Sequence, residues 1–230
     1  MNIICTICAK SNSSGLKNKN LKNINGNPLI KYTLTQAKKI KTFNDIIIST
    51  DSKKIENICL KEGLFSIGLR PKHLSNSTVS KINVIRHAIR KYEKLTNKFA
   101  DIIVDLDITS PLRNYSDLLN SLDKFKKTKA NNLFSVCKSR KNPYFNMIEI
   151  KNKKISLVKK KNRRIFSRQK APLVYEMNAS IYIWKRSCLF SDNPLFNSKT
   201  NIYVMPFNRS IDIDDINDFN YVEFLMSKNK

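Results

Sequence analysis

Ile3, Ile4, Cys5, Thr6, Ile7, Cys8 and Ala9 form a mostly apolar run. Lys10, Ser11, Asn12, Ser13, Ser14, Gly15, Leu16, Lys17, Asn18, Lys19 and Asn20 follow it with one aliphatic side chain among them. A short apolar run bounded by turn-forming residues reads as a strand buried on both faces, and the Ser/Asn-rich stretch after it reads as a loop. The same alternation repeats outward. Pro28 precedes Leu29, Tyr32, Thr33, Gln36 and Ala37 at helical spacing, and residues 45–50 return as a β-branched strand. Ser52 suits the N-cap of a helix carrying Ile55, Ile58, Cys59 and Glu62 and ended by Gly63, with residues 64–69 extended. Ile82, Ile85, Ile89 and Tyr92 mark a helix before a strand at 101–107. Leu118, Leu119, Leu122 and Phe125 mark another before a strand at 133–137. This βαβαβαβ order, with near-continuous apolar strands, predicts an α/β fold: a doubly wound, mostly parallel sheet covered by helices on both sides. Residues 140–176 break the rhythm and read as an inserted arm. The core resumes at 177–184, continues through 202–206 and closes with a helix near 215–226. No repeat and no Gly/Ser or Pro linker divides the chain, so residues 1–230 read as one domain with that arm.

The composition agrees with a packed core. Hydrophobic residues make up 41% of the 230 residues and charged residues 27%, which opposes wholesale disorder. No stretch approaches the roughly 20 apolar residues needed to cross a bilayer, and the opening apolar run is too short for a secretory signal. No membrane partner is expected, and the expected compartment is the cytoplasm. Five scattered cysteines give neither a disulfide framework nor a zinc-ribbon spacing. Cys5 and Cys8 form a C-x-x-C, but three positions apart on a strand they point to opposite faces, which favours buried structural roles. The formal net charge of +25 invites a nucleic-acid reading. Lys outnumbers Arg 33 to 10, Asn reaches 28 and Ile is abundant, the skew of an AT-rich genome, so nucleic acid is not the expected partner. Only residues 151–170 concentrate the charge, interleaved with Ile155, Leu157, Val158, Ile165 and Phe166. A solvated hairpin and a phosphate-facing arm both fit that stretch.

In open α/β sheets ligands bind beyond the carboxyl ends of the strands. The loop after the first strand offers Lys10, Lys17 and Lys19, small hydroxyl residues and Gly15, a set that suits a polyphosphate cradle. With four glycines in the chain there is no G-x-x-x-x-G-K-[ST] and no G-x-G-x-x-G, which excludes a P-loop or a dinucleotide fingerprint. Asp212 and Asp214 alternate along an extended segment and share a face, as carboxylate ligands of Mg²⁺ would. Acidic residues leading into a helix N-terminus have the same pattern.

Together these segments resemble the acylneuraminate cytidylyltransferases, the CMP-sialic acid synthetases, in order and spacing over nearly the whole chain. The matching stretches are Ala9 to Asn20, against the family's A-R-x-x-S-K-G-L-x-x-K-N; Ser49-Thr50-Asp51; Leu69-Arg70-Pro71; Leu74 to Ser80; Thr109-Ser110-Pro111-Leu112-Arg113; Arg168-Gln169; Asn178 with Ile181-Tyr182; and Ser210 to Asp214. The resemblance implies a Rossmann-like nucleotidyltransferase that moves CMP from CTP to the anomeric hydroxyl of a nonulosonic acid and releases pyrophosphate. It implies Lys10, Lys19, Asp212 and Asp214 as catalytic residues, the two carboxylates holding Mg²⁺. It further implies nucleotide contacts from Asn12, Ser13, Gly15, Asn20, Arg70, Ser80 and Asp107, and sugar contacts from Arg168, Gln169, Asn178, Tyr182 and Phe196. A homodimer is expected, with the arm reaching toward the partner's site.

The chain departs from the family pattern in places. Lys10 replaces the usual Arg and Ser14 the usual Lys, Asp107 stands for an amide, N-G-A-I-Y becomes Asn178-Ala179-Ser180-Ile181-Tyr182, and Glu176 replaces a typical Arg. The last two, with Asn142 to Asn146, look more like the branch that activates legionaminic acid, with Tyr144, Phe145 and Phe196 as apolar wall.

Overall fold

The computed structural model describes residues 1–11, 15–76, 78–161 and 165–228. Its centre is β1 (Ile3–Ala9), flanked in parallel by β4 (Asp45–Thr50) and β6 (Ile102–Leu106). A small hairpin, β2 (Asn23–Ile24) and β3 (Asn27–Pro28), leads from the first loop into α1 (Leu29–Lys38). Beyond β4 lie α2 (Lys53–Lys61) and the edge strand β5 (Phe65–Ser66). Beyond them α3 (Lys81–Thr96) leads back to β6, and α4 (Tyr115–Lys127) leads to β7 (Asn132–Lys138). The arm carries β8 (Ile148–Lys151) and β9 (Lys154–Leu157). The chain then returns as β10 (Tyr175–Lys185), α5 (Arg186–Leu189), β11 (Thr200–Met205) and α6 (Ile216–Ser227). The seven-stranded sheet has the order β11-β7-β10-β6-β1-β4-β5.

Six of these strands run in one direction, and β10 runs against them between β6 and β7. The expected α/β sheet is therefore present, and it is mostly parallel. Side-chain periodicity does not encode strand direction, so the reversal of β10 follows from its return out of the arm rather than from its own residues. Alternation along β1 sends Ile3, Cys5, Ile7 and Ala9 into one core with α1, α2, α4 and α6. Ile4 belongs to a second core with α3 and α5. Helices thus cover both faces, and Cys5 and Cys8 diverge as expected. All five cysteines are free, and burial raises the thiol pKa of Cys5 and Cys8.

Local signals fix the helix ends. Ser52 caps α2 by accepting from the Ile55 N–H, and Asn114 and Asp117 form a reciprocal capping box at α4. Asp215 and Asp218 form the same box at α6. Between β7 and β10, over residues 139–174, the chain leaves the sheet; the arm was expected at 140–176, but Tyr175 and Glu176 already pair with Lys138 and Cys137 of β7. Among the described residues β8 and β9 pair only with each other, in antiparallel register Ile148↔Leu157 and Ile150↔Ile155. The Asn142 amide closes the base of this arm by donating to the Pro172 carbonyl at 2.8 Å.

Candidate active site

A cleft of about 480 Å³ opens beyond the carboxyl ends of β1, β4 and β6. Lys10, Gly15, Lys19, Asn20, Arg70, Asp107, Asp212 and Asp214 all line it, so residues far apart in the chain converge at the edge the topology favours.

The first loop is fastened to the carboxylate segment at two points. Lys19 Nζ donates to the Ile213 carbonyl at 2.5 Å and pairs with Asp214 at 3.5 Å. Gly15 packs so closely that a Cβ there would lie 2.3 Å from the Asp214 carbonyl oxygen. Ile213 N–H in turn donates to the Thr109 carbonyl, which ties the same segment to the end of β6. The Asn20 amide reaches back to the Lys10 carbonyl at 3.0 Å and shapes the loop from within. At the end of β4, Asp51 accepts from the backbone and hydroxyl of Ser11. It also lies 3.9 Å from Arg70, whose Nε donates to Ser75.

Asp212 and Asp214 do not cap the following helix. Asp215 accepts from the N–H groups of Asn217 and Asp218, while Asp218 accepts from those of Asp214 and Asp215. The side chains of Asp212 and Asp214 are left to the cleft. Asp212 Oδ1 is buried with no hydrogen-bond partner among the described residues. Burial first, then the charges of Asp107 and Asp214, push the Asp212 carboxyl up to about 6, against pulls from Thr109 and Lys19.

Asp107 is held differently. Lys81 Nζ lies 2.6 Å from Asp107 Oδ2 and 2.8 Å from Asp105 Oδ2. Burial would raise the Asp107 carboxyl, but Lys81 and Thr109 outweigh it and hold it below its ordinary range. Burial likewise opposes the Lys81 charge, and Asp105 and Asp107 outweigh that too, raising its pKa well above the ordinary value. Neither Lys81 nor Asp105 figures among the residues expected from sequence. The available signal was a carboxylate inside an otherwise apolar strand, because Asp is almost never fully buried unless paired.

Other expected residues fall elsewhere. Asn178 is buried between strands, with its amide oxygen on the Ser135 hydroxyl at 2.6 Å and its nitrogen on Ser210 at 2.9 Å. It ties β10 to the segment before Asp212 and does not line the cleft. Arg113 is equally internal, donating to the carbonyls of Asp107 and Ser180 and to the Thr33 hydroxyl. Burial lowers its pKa to about 10. Ser80 is the N-cap of α3. Tyr182 stacks on Trp184 beneath Lys81, whose Nζ lies 5.3 Å from the Tyr182 ring centre. Phe196 is exposed and meets Phe134 edge-on. Arg168 and Gln169 sit in an exposed turn of the arm, where Arg168 donates to the Arg140 carbonyl, and neither lines the cleft. Glu176 accepts from the Ser139 hydroxyl. Asn12 and Ser13 lie outside the described residues.

A family model described as "Cytidylyltransferase" matches residues 4–226. A post-translational flagellin modification protein B from Campylobacter coli is 40% identical over 226 residues, 98% of this chain and 95% of that protein. A CMP-N,N'-diacetyllegionaminic acid synthase from Campylobacter jejuni is 40% identical over 225 residues, with the same 98% and 95% coverage. Among solved structures, a CMP:2-keto-3-deoxy-manno-octonic acid synthetase complexed with CTP matches 100% of both chains with a TM-score of 0.72. At 16% identity that likeness is one of fold.

Proposed function

The chain belongs to the cytidylyltransferase family, and we propose that it transfers CMP from CTP to the anomeric hydroxyl of a nonulosonic acid, with a legionaminic-type acid as preferred acceptor. The acceptor oxygen bonds to the α-phosphorus, the bond to the bridging oxygen breaks, pyrophosphate leaves and the hydroxyl proton is released. The observation that carries this reading is the convergence of Lys10, Lys19 and Arg70 with Asp212 and Asp214 in one cleft. CTP brings about four negative charges, and fixed cations aimed at developing phosphate charge are the main means by which proteins promote phosphoryl and nucleotidyl transfer.

Asp212 and Asp214 fit Mg²⁺: both are hard oxygen donors facing the cleft, and Asp212 Oδ1 is buried without a partner. Mg²⁺ commonly takes one or two carboxylates and leaves its other positions to waters and substrate phosphates. Bound there, it would neutralise charge building at the α-phosphate. Lys19 holds the carboxylate segment in place, and Gly15 brings loop backbone against it.

The 40% identity to a protein named for a legionaminic acid product supports that acceptor branch. Use of CTP and the free cysteines fit a cytoplasmic enzyme. The arm supports a homodimer, because Ile148, Ile150 and Ile155 share one face of the hairpin at 62%, 70% and 69% exposure. A nucleic-acid role has only the net charge in its favour.

The test is pyrophosphate release from CTP with N,N'-diacetyllegionaminic acid and with sialic acid side by side. Release with the first acid at the higher kcat/KM is expected. Preference for sialic acid overturns the branch, and no release with either acid overturns the reaction.

A further inference from the structure

The helix α3 turns Val84, Ile85, Ala88, Ile89 and Tyr92 inward and carries a stripe of cations on its other side. Arg86, Arg90 and Lys94 follow one another at four-residue spacing, and His87 and Lys91 do the same beside them. With Leu74 they line a groove of about 510 Å³ that has no carboxylate in its lining. None of the four cations forms a salt bridge among the described residues. Like charges four apart on a helix repel and cost stability. Composition does not explain the crowding, because drift toward an AT-rich genome supplies Lys, yet two of the chain's ten Arg stand here.

The cations are also held in place. Arg86 Nε donates to the Leu189 carbonyl at 2.7 Å and its Nη2 to the Ser191 carbonyl at 2.5 Å. Arg90 lies over the Phe190 ring, 5.0 Å from its centre, and Lys91 Nζ donates to the Leu69 carbonyl at 3.4 Å. A guanidinium has five N–H groups, so Arg86 keeps donors to spare. His87 registers the field these groups make. Its Nδ1 is buried with no hydrogen-bond partner among the described residues, and burial first, then Lys91, His73 and Arg70, lower its pKa.

The groove thus combines positive charge, fixed donors and room, with no acidic side chain to balance them. Four cations call for a ligand with more than one negative charge, and the planar forks of Arg86 and Arg90 match phosphate oxygens. From Arg86 to Lys94 the helix rises only about 12 Å, a span that suits a compact ion better than a nucleic-acid strand. Leu74 lines this groove and the catalytic cleft alike, so the two share a wall but draw on different cations. We propose that the α3 groove is a second anion site, separate from the catalytic cleft, which binds a small multivalent phosphate: inorganic pyrophosphate or the phosphate chain of a nucleotide. The site stands on α3 and its neighbours and does not depend on the reaction proposed above.

The chain has two histidines, so their ring-proton NMR signals report on the groove, with His73→Gln to assign them. The full chain is given one equivalent of CTP carrying a non-cleavable α,β-methylene bridge, and inorganic pyrophosphate is then titrated at an ionic strength held constant with chloride. The His87 signal is expected to move and to saturate at millimolar pyrophosphate or below. Its pKa should rise, because a bound anion offsets Arg70 and His73 from one side and Arg86, Arg90, Lys91 and Lys94 of α3 from the other. Arg90→Gln with Lys94→Gln should weaken the response at least about tenfold, whereas Arg90→Lys with Lys94→Arg, which keeps the charge, should stay within about threefold of the parent. The melting temperature of the first double variant should not fall, since like charges are removed. Excess CTP analogue that moves the same signal in the parent, and not in Arg90→Gln with Lys94→Gln, identifies the nucleotide as the source; a response to pyrophosphate alone identifies the inorganic ion. A His87 signal unmoved by either, or moved equally in the parent and that double variant, overturns the proposal. So does a short oligonucleotide that displaces pyrophosphate with a steep salt dependence, which would make α3 a nucleic-acid surface.

Discussion

Two carboxylate pairs with the same D-x-D spacing border the cleft, and the protein treats them in opposite ways. Asp105 and Asp107 share the Lys81 ammonium, which hydrogen-bonds to Asp107 and lies 2.8 Å from Asp105 as an ion pair, and Asp107 is held below its ordinary range. Asp212 has a buried oxygen with no partner among the described residues and a carboxyl pushed up to about 6, while Asp214 lies 3.5 Å from the Lys19 ammonium. A carboxylate raised mainly by burial, in a residue that lines the cleft without an ammonium at hydrogen-bond distance among the described residues, has room for a cation; one already paired with an ammonium does not. Equal spacing in sequence thus says little about role. The neighbour that arrives from another element decides it.

The largest effect should come from breaking the unpaired pair. Asp212→Asn should lower turnover at least about a hundredfold at saturating Mg²⁺, the loss of a few kcal/mol of charge stabilisation. Asp107→Asn should cost less than about tenfold, since an amide oxygen still accepts from Lys81. Steady-state pyrophosphate release measures both, and equal losses would erase the distinction.

Gly15 seats the first loop against the segment that carries Asp212 and Asp214. In Gly15→Ala the new methyl group would lie 2.3 Å from the Asp214 carbonyl oxygen, a backbone atom with no freedom to rotate away. A fall in kcat/KM of at least about tenfold is expected, with a modest change in melting temperature, because the loop and not the core must move. Normal kinetics would mean that loop docking is unimportant.

The arm extends the comparison to a region whose unmet need is apolar. Ile150→Asp with Ile155→Asp should turn a dimer into a monomer in analytical ultracentrifugation at micromolar concentration. A parent protein that is monomeric and fully active at that concentration would contradict the arm's proposed role.

The unpaired charge also has a pH signature. The Asp212 pKa in the folded chain, about 6, lies above the ordinary 3.8, so ionising it costs stability. Without divalent cation, that cost is absent below about pH 4, grows as pH rises through 6 and is full above it. Asp212→Asn should therefore melt higher than the parent at pH 7.5 and close to it at pH 4.5, by differential scanning fluorimetry. A gap of the same size at both pH values would show that the charge is not the cause. The smallest effect is expected at Ala179, which sits at φ 50° in the irregular stretch of β10. Ala179→Gly should raise stability by about 1 kcal/mol, or roughly 2–4 °C in Tm for a domain of this size.

How much of this was legible in the chain follows the same contrast. Strands and the cap of α2 were readable because apolar runs and Ser52 act locally; the capping boxes of α4 and α6 were not named from sequence. The expected α/β layout stands, and Lys10, Lys19, Asp212 and Asp214 line one cleft. Long-range partners were not readable. Lys81 pairs with carboxylates 24 and 26 residues away, and nothing in its own neighbourhood announces them. Asn178 and Arg113 were visible as motif residues, yet a recurring motif does not separate a group that ties the scaffold from one that touches a ligand. Both proved to tie strands. Arg168, Gln169 and Phe196 lie outside the cleft of the single chain; for Arg168 and Gln169 the distance from the site depends on how the arm folds back rather than on spacing, while Phe196 sits in the segment between α5 and β11.

The most direct test of the central contrast is a Mn²⁺ titration followed by electron paramagnetic resonance, run on the parent, Asp212→Asn and Asp107→Asn with the non-cleavable CTP analogue present. Asp107→Asn should bind Mn²⁺ within about threefold of the parent and Asp212→Asn at least about tenfold more weakly, as expected for loss of a carboxylate ligand. Loss of Mn²⁺ binding in Asp107→Asn, with Asp212→Asn unaffected, would place the cation on the pair that Lys81 already holds and contradict the account.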